Sequence, residues 1–303
     1  MSMKRRFLLA SSLAVIAAIS PSHADEIDQS IEVSQNGKVR FKTIDGDVSF
    51  FGWDKNEVKV SGELGSNVKD LVFENDGVET IIKIESDKNY YKRGGYWNES
   101  SGTKLDVYMP SSSKLYALST SGDMDIQDLS GGLKAKNVSG DITISDSDKW
   151  IYAYTSSGDI SLSKCDGEIH IESVSGDIDY DGDAPRFEAT SISGDIEAEI
   201  GETERVTISS VSGDLDLQAK LKDNGVFEAT TVSGDIDMMF DQNKLNARLE
   251  LSTGPGGDIR NKLTDEKVKD SWAGAEELDI KVGSGRATVE LETMSGTILI
   301  AQK

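Results

Sequence analysis

The sequence predicts an all-β repeat protein, a two-sheet parallel β-solenoid. Three observations predict it. A Ser-Gly-Asp tripeptide recurs at a near-constant spacing, apolar columns alternate with polar residues around it, and a glycine stands at every expected corner. The tripeptide begins at Ser121, Ser139, Ser157, Ser175, Ser193, Ser212 and Ser233, with spacings of 18, 18, 18, 18, 19 and 21 residues. A fixed period near this length marks stacked repeats. Variants follow at Gly256-Gly257-Asp258, Ser284-Gly285 and Ser295-Gly296-Thr297, and one precedes them at Asp45-Gly46-Asp47.

The columns define two short strands per coil. After each glycine come Met124, Ile142, Ile160, Ile178, Ile196, Leu215 and Ile236, then Ile126, Ile144, Leu162, Tyr180, Ala198, Leu217 and Met238. Before each serine come Leu115, Leu133, Ile151, Ile169, Phe187, Val206 and Phe227, then a small column that includes Ala117, Ala135, Ala153, Ala189 and Ala229. Alternation of period two means strands with one buried face. The alanines imply a narrow interior. Just before the serine the phase shifts, with Val138, Val174, Ile192, Val211 and Val232 apolar. The chain must bend there, and Gly122, Gly140, Gly158, Gly176, Gly194, Gly213 and Gly234 supply the freedom for a sharp corner. The variable turn lies on the other edge, where the later coils take up their extra residues (Lys220 to Gly225; Asp241 to Asn246). One coil cannot bury enough surface to stand alone, so stacking is required. A sandwich or an up-and-down barrel would not demand this period. A right-handed stack of roughly ten coils is expected, each about 4.8 Å thick.

Three segments follow. Residues 1–24 read as a signal peptide: Lys4, Arg5 and Arg6, an apolar run from Phe7 to Ile19, then Ser22 and Ala24 as the small pair before cleavage. The apolar run is too short to span a bilayer. Export is therefore expected, to the periplasm or the cell surface, with no membrane span. Residues 25–110 form one coil, Val39 to Trp53, plus a β excursion that caps the stack. Its strand-like runs are Val58–Val60, Leu71–Phe73, Thr80–Ile84 and Leu105–Tyr108. An open solenoid end is a sticky edge, so a cap is needed. Residues 111–303 are the repeat solenoid, with Glu276 to Lys303 as irregular closing strands.

Charge excludes some partners. The three basic residues of the leader leave with it, so 32 basic residues become 29 against 54 acidic ones, and the net charge moves from −22 to −25. A surface this acidic disfavours nucleic acid and anionic lipid. Cys165 is the one cysteine, so no internal disulfide forms; it is either a small apolar filler or a thiol that pairs with another chain. After cleavage His170 is the one histidine, so a His-centred metal site or a Cys-His pair is not expected. No catalytic set stands out, because nucleophilic hydrolysis needs a base beside the nucleophile. A non-catalytic protein is expected; a carbohydrate-active enzyme on a β-helix is the distant alternative.

Three features carry candidate chemistry. The first is the corner aspartate column, including Asp141, Asp159, Asp177 and Asp195. Like charges about 4.8 Å apart repel by about 0.9 kcal/mol even in water. Either each carboxylate accepts N–H bonds in its own turn, or a ladder of Ca²⁺ offsets the repulsion in a cation-stabilised scaffold. No other cofactor is expected. A second acidic column, Asp125, Asp179, Glu197, Asp216 and Asp237, reads as a solvated face. The third feature is aromatic and basic. Tyr116, Tyr152 and Tyr154 point outward by parity, beside Lys134 and Lys136, and the segment Tyr90 to Trp97 adds Tyr91, Tyr96 and Trp97. Exposed aromatics on a flat sheet suit sugar rings or a protein partner, unless that segment folds over them. The expected partner is an envelope protein or a polysaccharide.

Several of these residues also carry a resemblance. Asp45-Gly46-Asp47-Val48 with Gly52-Trp53-Asp54, Val107-Tyr108-Met109-Pro110 leading into Leu118 to Asp123, the coils Val138 to Ile142 and Val174 to Ile178, and Met294 to Ile298 together resemble a bacterial adhesin-labelled family of unknown function. The match covers most of the mature chain; the Gly256–Asp258 coil and the stretch Ile259 to Leu278 depart from it. The resemblance implies a stacked β fold and an envelope or surface location, and brings no catalytic residues.

Overall fold

The computed structural model describes residues 25–87, 102–240 and 245–303. The expected signal peptide and Tyr91, Tyr96 and Trp97 lie outside the described residues.

The fold is all-β and solenoid-like. In the middle of the chain every strand pairs in parallel with its equivalent one period away. Leu133–Lys136 lies between Lys114–Leu118 and Trp150–Thr155, and then come Glu168–Ser175 and Arg186–Ser193. Across the corner, Met124–Gln127, Ile142–Ser145, Ile160–Ser163 and Ile178–Gly182 stack in the same way. The four predicted inward columns are all buried, from Leu115 through Ile178 to Met238. Equivalent residues sit directly above one another, so each apolar column becomes a continuous ridge of the core.

Two expectations about the coil change. The described strands hydrogen-bond into one mixed network of 25 strands, not two separate sheets. The cause is Ile196–Ser212 and Leu215–Ser233, which run unbroken around the edge opposite the glycine corner. The extra residues expected in the variable turn at Lys220 to Gly225 are strand, taken up by register shifts at Ile200/Glu202 and Thr203/Arg205, and residues 241–244 of the second such turn lie outside the described residues. The apolar residues before each serine also do not bend inward. Val138, Ile192, Val211 and Val232 are about half exposed, and the position before each of them is the buried one. That third inward column is polar: Asn137, Thr155, Ser173, Ser191, Ser210 and Thr231. Asn137 Nδ2 donates to Gly122 O at 2.7 Å, and Thr231 Oγ1 to Gly213 O at 3.3 Å, so these side chains bind the corner of the previous coil. Ser191 and Ser210 reach no partner with their hydroxyls.

The corner needs glycine for closeness as well as for bending. A Cβ on Gly176, at φ +143°, would lie 2.0 Å from Gly158 O, and one on Gly140 would lie 2.4 Å from Gly122 O. The stacked corners touch backbone to backbone.

Both ends permute the order of the chain. The Lys38–Lys42 and Asp47–Trp53 coil sits between the first regular coil and strands Glu79–Ser86 and Lys104–Pro110, which come later in sequence. Antiparallel strands close this end: Val68–Asn75 on Glu79–Ser86, and Glu57–Leu64 on Lys104–Pro110 with Asp25–Glu32 outside it. At the other end, Ala287–Ser295 and Thr297–Gln302 are a regular coil in register with Ser233 and Ile236. They slot in beneath Ala247–Thr253 and Asp258–Asn261, which precede them in the chain. The last residues are therefore not irregular closing strands; Glu276–Lys281 pairs antiparallel with Ala247–Thr253 and carries the short strand Lys269–Asp270 outside it. No described helix is long and apolar enough to cross a membrane.

Candidate functional site

Strand alternation sets the outward residues of the face opposite the acidic columns. Register places Tyr116, Lys134, Tyr152, His170, Glu188 and Thr207 in one outward row along the stack. Beside it run Lys136, Tyr154, Glu172 and Thr190. The three tyrosines expected on this face are there, half-buried. Their rings, however, are not open platforms. Tyr152 lies between Lys134, whose Nζ is 4.1 Å from the ring centroid, and His170, which stacks at 5.0 Å with planes 10° apart. Lys136 reaches the rings of Tyr152 and Tyr154 at 5.2 and 5.1 Å, and Lys38 reaches Tyr116 at 4.7 Å. Side chains one strand apart are close enough to cover each other's faces. The row therefore offers ammonium groups, hydroxyls and ring edges to solvent. Lys134 and Lys136 form no ion pair among the described residues.

His170 is more than an outward strand residue. Its Nε2 is 2.6 Å from Glu172 and its Nδ1 is 3.0 Å from Glu188. A carboxylate at each nitrogen calls for a donor at each, which is the imidazolium. Burial pulls the pKa of His170 down, but the bonds to the two glutamates outweigh it and the net shift is upward. The same bond to His170 holds the Glu172 carboxyl below its ordinary range. Held this way, His170 faces two carboxylates and no serine or cysteine nucleophile.

Next to this row the structure forms a groove of about 370 Å³, lined by Trp150, Tyr152, His170, Arg186, Arg205 and Thr207 among others. Trp150, Glu168, Arg186 and Arg205 are register neighbours at its edge. Arg186 pairs with Glu168. The indole of Trp150 lies against Gly132, where a Cβ would come within 2.2 Å of Nε1. Sequence reading missed Trp150, Arg186 and Arg205. Their shared position, just before the first inward residue of the coil, was the available signal.

The other face is acidic. The outward row there runs Asp125, Thr143, Ser161, Asp179, Glu197, Asp216 and Asp237. Burial, and then the crowding of Asp123 and Asp47, pushes the Asp125 carboxyl up; burial and Asp216 do the same to Asp237. Beside it stands the corner aspartate column. Asp141 Oδ1 accepts the backbone N–H of Asp159 at 2.8 Å, Asp159 that of Asp177 at 2.9 Å, and Asp177 that of Asp195 at 2.8 Å. The acceptor role is thus played toward the next coil, not within the aspartate's own turn, because the neighbouring corner is the closer donor. Among the described residues no group of three or more His, Cys, Asp or Glu is arranged to hold a metal ion. Cys165 is fully buried, as a small apolar filler would be, and that burial raises its thiol to about 11.

Stack and faces together define an all-β, solenoid-like repeat protein whose two broad faces differ in charge. The chain belongs to the Toastrack family DUF4097, which it matches over residues 54–301. No curated protein matches it. Among solved structures it is similar to a candidate adhesin of Bacteroides fragilis, at 14% identity over 93% of this chain and 100% of that one, with a TM-score of 0.44. It is similar to a candidate cell-adhesion protein of Clostridium sporogenes, at 10% identity over 92% and 100%, with a TM-score of 0.29. A candidate lipid-binding protein of Parabacteroides distasonis matches at 14% identity over 91% and 96%, with a TM-score of 0.36. Likeness at this level says nothing about a ligand.

Proposed function

We propose that this protein is a non-catalytic, exported binding protein of the cell envelope or cell surface, adhesin-like, and that its partner docks on the Lys134–Tyr152–His170 face. One observation carries this reading. In a chain of net charge −22, Lys134, Lys136, His170, Arg186 and Arg205 gather with Tyr152 and Tyr154 on one face, three of its glutamates paired to them, while the outward row of the other face holds Asp125, Asp179, Glu197, Asp216 and Asp237. Function needs no such segregation for solubility, which scattered charge would serve as well. Export rests on the basic, apolar and small-residue order of residues 1–24. The fold reading that goes with it is a right-handed, two-faced parallel solenoid: a rod of short, regular coils that suits the display of a face. An envelope polysaccharide or an envelope protein would fit the face.

The test is co-sedimentation of the mature chain with separated envelope fractions and intact cells. Saturable retention on one fraction is expected, and Lys134→Glu with Lys136→Glu should abolish it while the melting temperature holds. Retention unchanged by the double substitution would move the partner off this face.

A second reading has its own observation. Asp179, Glu197, Asp216 and Asp237 stand one strand apart in a single outward row, a crowding of like charges that a divalent cation would relieve. A cation-stabilised scaffold should melt several degrees higher in calcium than in chelator; equal melting removes this reading.

A further inference from the structure

The groove edge holds an unusual pair. Arg186 and Arg205 are register neighbours on adjacent strands, so their side chains leave the backbone about 4.8 Å apart. Guanidiniums on neighbouring side chains repel unless they splay apart or an anion lies between or beside them. Glu168 answers Arg186, but Arg205 forms no ion pair among the described residues, in a chain with 54 acidic residues to choose from. Arg186 spends one nitrogen on Glu168, and a guanidinium has five N–H donors, so both forks keep donors for a ligand.

The rest of the groove narrows the ligand. Trp150 rests one side of its indole on Gly132 and borders the groove with the rest. An apolar ring side next to charge suits the C–H face of a pyranose. Thr207, Glu188 and Glu168 also line the groove and bond hydroxyls rather than anions. Those two glutamates would repel a dianion or a dense polyanion. What fits is a ligand with a single negative group, many hydroxyls and one apolar ring face.

We propose that the groove between Trp150 and Arg205 binds an acidic sugar unit, a pyranose bearing one carboxylate, with the carboxylate on Arg186 and Arg205 and the ring against Trp150. Planar guanidiniums take a carboxylate through two parallel N–H bonds, which lysine cannot do. The site extends the Lys134–His170 face, so the proposal rests on the binding function given above and names the chemistry of what is bound. The net negative field of the chain does not forbid it, since charges beyond about 8 Å are screened at physiological salt and the acidic rows lie on the other face.

Titration calorimetry of the mature chain with methyl galacturonoside, a pyranose with one carboxylate, tests it, with its methyl ester and methyl galactoside as neutral probes and anionic phosphatidylglycerol vesicles as a separate arm. Methyl galacturonoside should bind saturably, at least tenfold more tightly than either neutral probe. Arg205→Gln, a change at an exposed residue, should weaken it at least tenfold, and Arg205→Lys should restore only part of that. Equal binding of the methyl ester, or no effect of Arg205→Gln, overturns the proposal. So does vesicle binding that depends on Arg205 when methyl galacturonoside binding does not. If envelope retention survives Arg205→Gln but not the Lys134/Lys136 double substitution, the binding face stands and the acidic-sugar groove falls.

Discussion

The two broad faces hang from the same backbone alternation, one residue out of phase with the same core. One collects Lys134, Tyr152, His170 and Arg205; the other collects Asp125, Asp179, Asp216 and Asp237. The core columns do not differ in the same way: Ile151 and Ile160, Ile169 and Ile178 are buried alike. A solenoid thus separates the two tasks. Inward residues secure the stack, and outward residues are free to specialise. On the cationic face side chains pair with their neighbours along the stack, through cation–π contacts and the His170 bonds. On the acidic face like charges stack on like from Asp179 to Asp237, and the corner aspartates beside them gain backbone donors.

The sharpest way to break the comparison is to remove what both faces share. Ile178→Asp puts an unpaired carboxylate into the core and should cost more than about 4 kcal/mol. Several coils should unfold together, read as a collapse of the cooperative melt; an unchanged melting temperature would deny that this column points inward. Gly176→Ala should come next, at about 2–4 kcal/mol, because its Cβ would meet Gly158 O at 2.0 Å in a backbone conformation that alanine avoids. Chemical denaturation measures it.

Acidity should then tell the faces apart. His170 has a folded pKa above its ordinary 6.5. Its contribution is fully present below 6.5 and is lost as pH rises through the folded value. Glu172 lies below its ordinary 4.5, so its share is present above 4.5 and is lost as pH falls through its folded value. The cationic face is therefore most stable between these limits. Asp125 and Asp237 lie above 3.8, so the acidic face is relieved as pH falls through their folded values toward 3.8. Melting against pH should lose its alkaline slope in His170→Gln and its acidic relief in Asp125→Asn with Asp237→Asn. A slope that ignores both sets would mean the pairs are dissolved by solvent. The smallest effect belongs to the corner side. Ser210 is buried without a partner, where Thr155 and Thr231 bind a glycine carbonyl of the previous coil. Ser210→Thr should stabilise by about 0.5–1 kcal/mol, read as a small rise in melting temperature.

Much of this was legible in the residues. The period, the four inward columns and the glycine corners could be read directly, and so could the outward placing of Tyr116, Tyr152 and Tyr154. The polar inward column was not. Asn137 and Thr155 carry no inward signal of their own, because only the stacked corner supplies the carbonyls they bind. Strand Asp25–Glu32 was also missed, since it belongs to no repeat and is held by Glu57–Leu64 alone. The covering of the tyrosine rings was hidden as well, because it depends on which side chain sits one strand away.

By itself, then, the sequence determined the local facts: which residues face in, where the chain turns and how long each coil is. These follow from alternation and from glycine, which act within a few residues. Tertiary structure decided the rest. Stacking in register assembled Trp150, Arg186 and Arg205 at one groove from three coils. It also placed the last coil beneath the one before it, and the first coil inside the second. Those choices depend on which exposed strand edge is free to receive another, and an edge is a property of the whole stack.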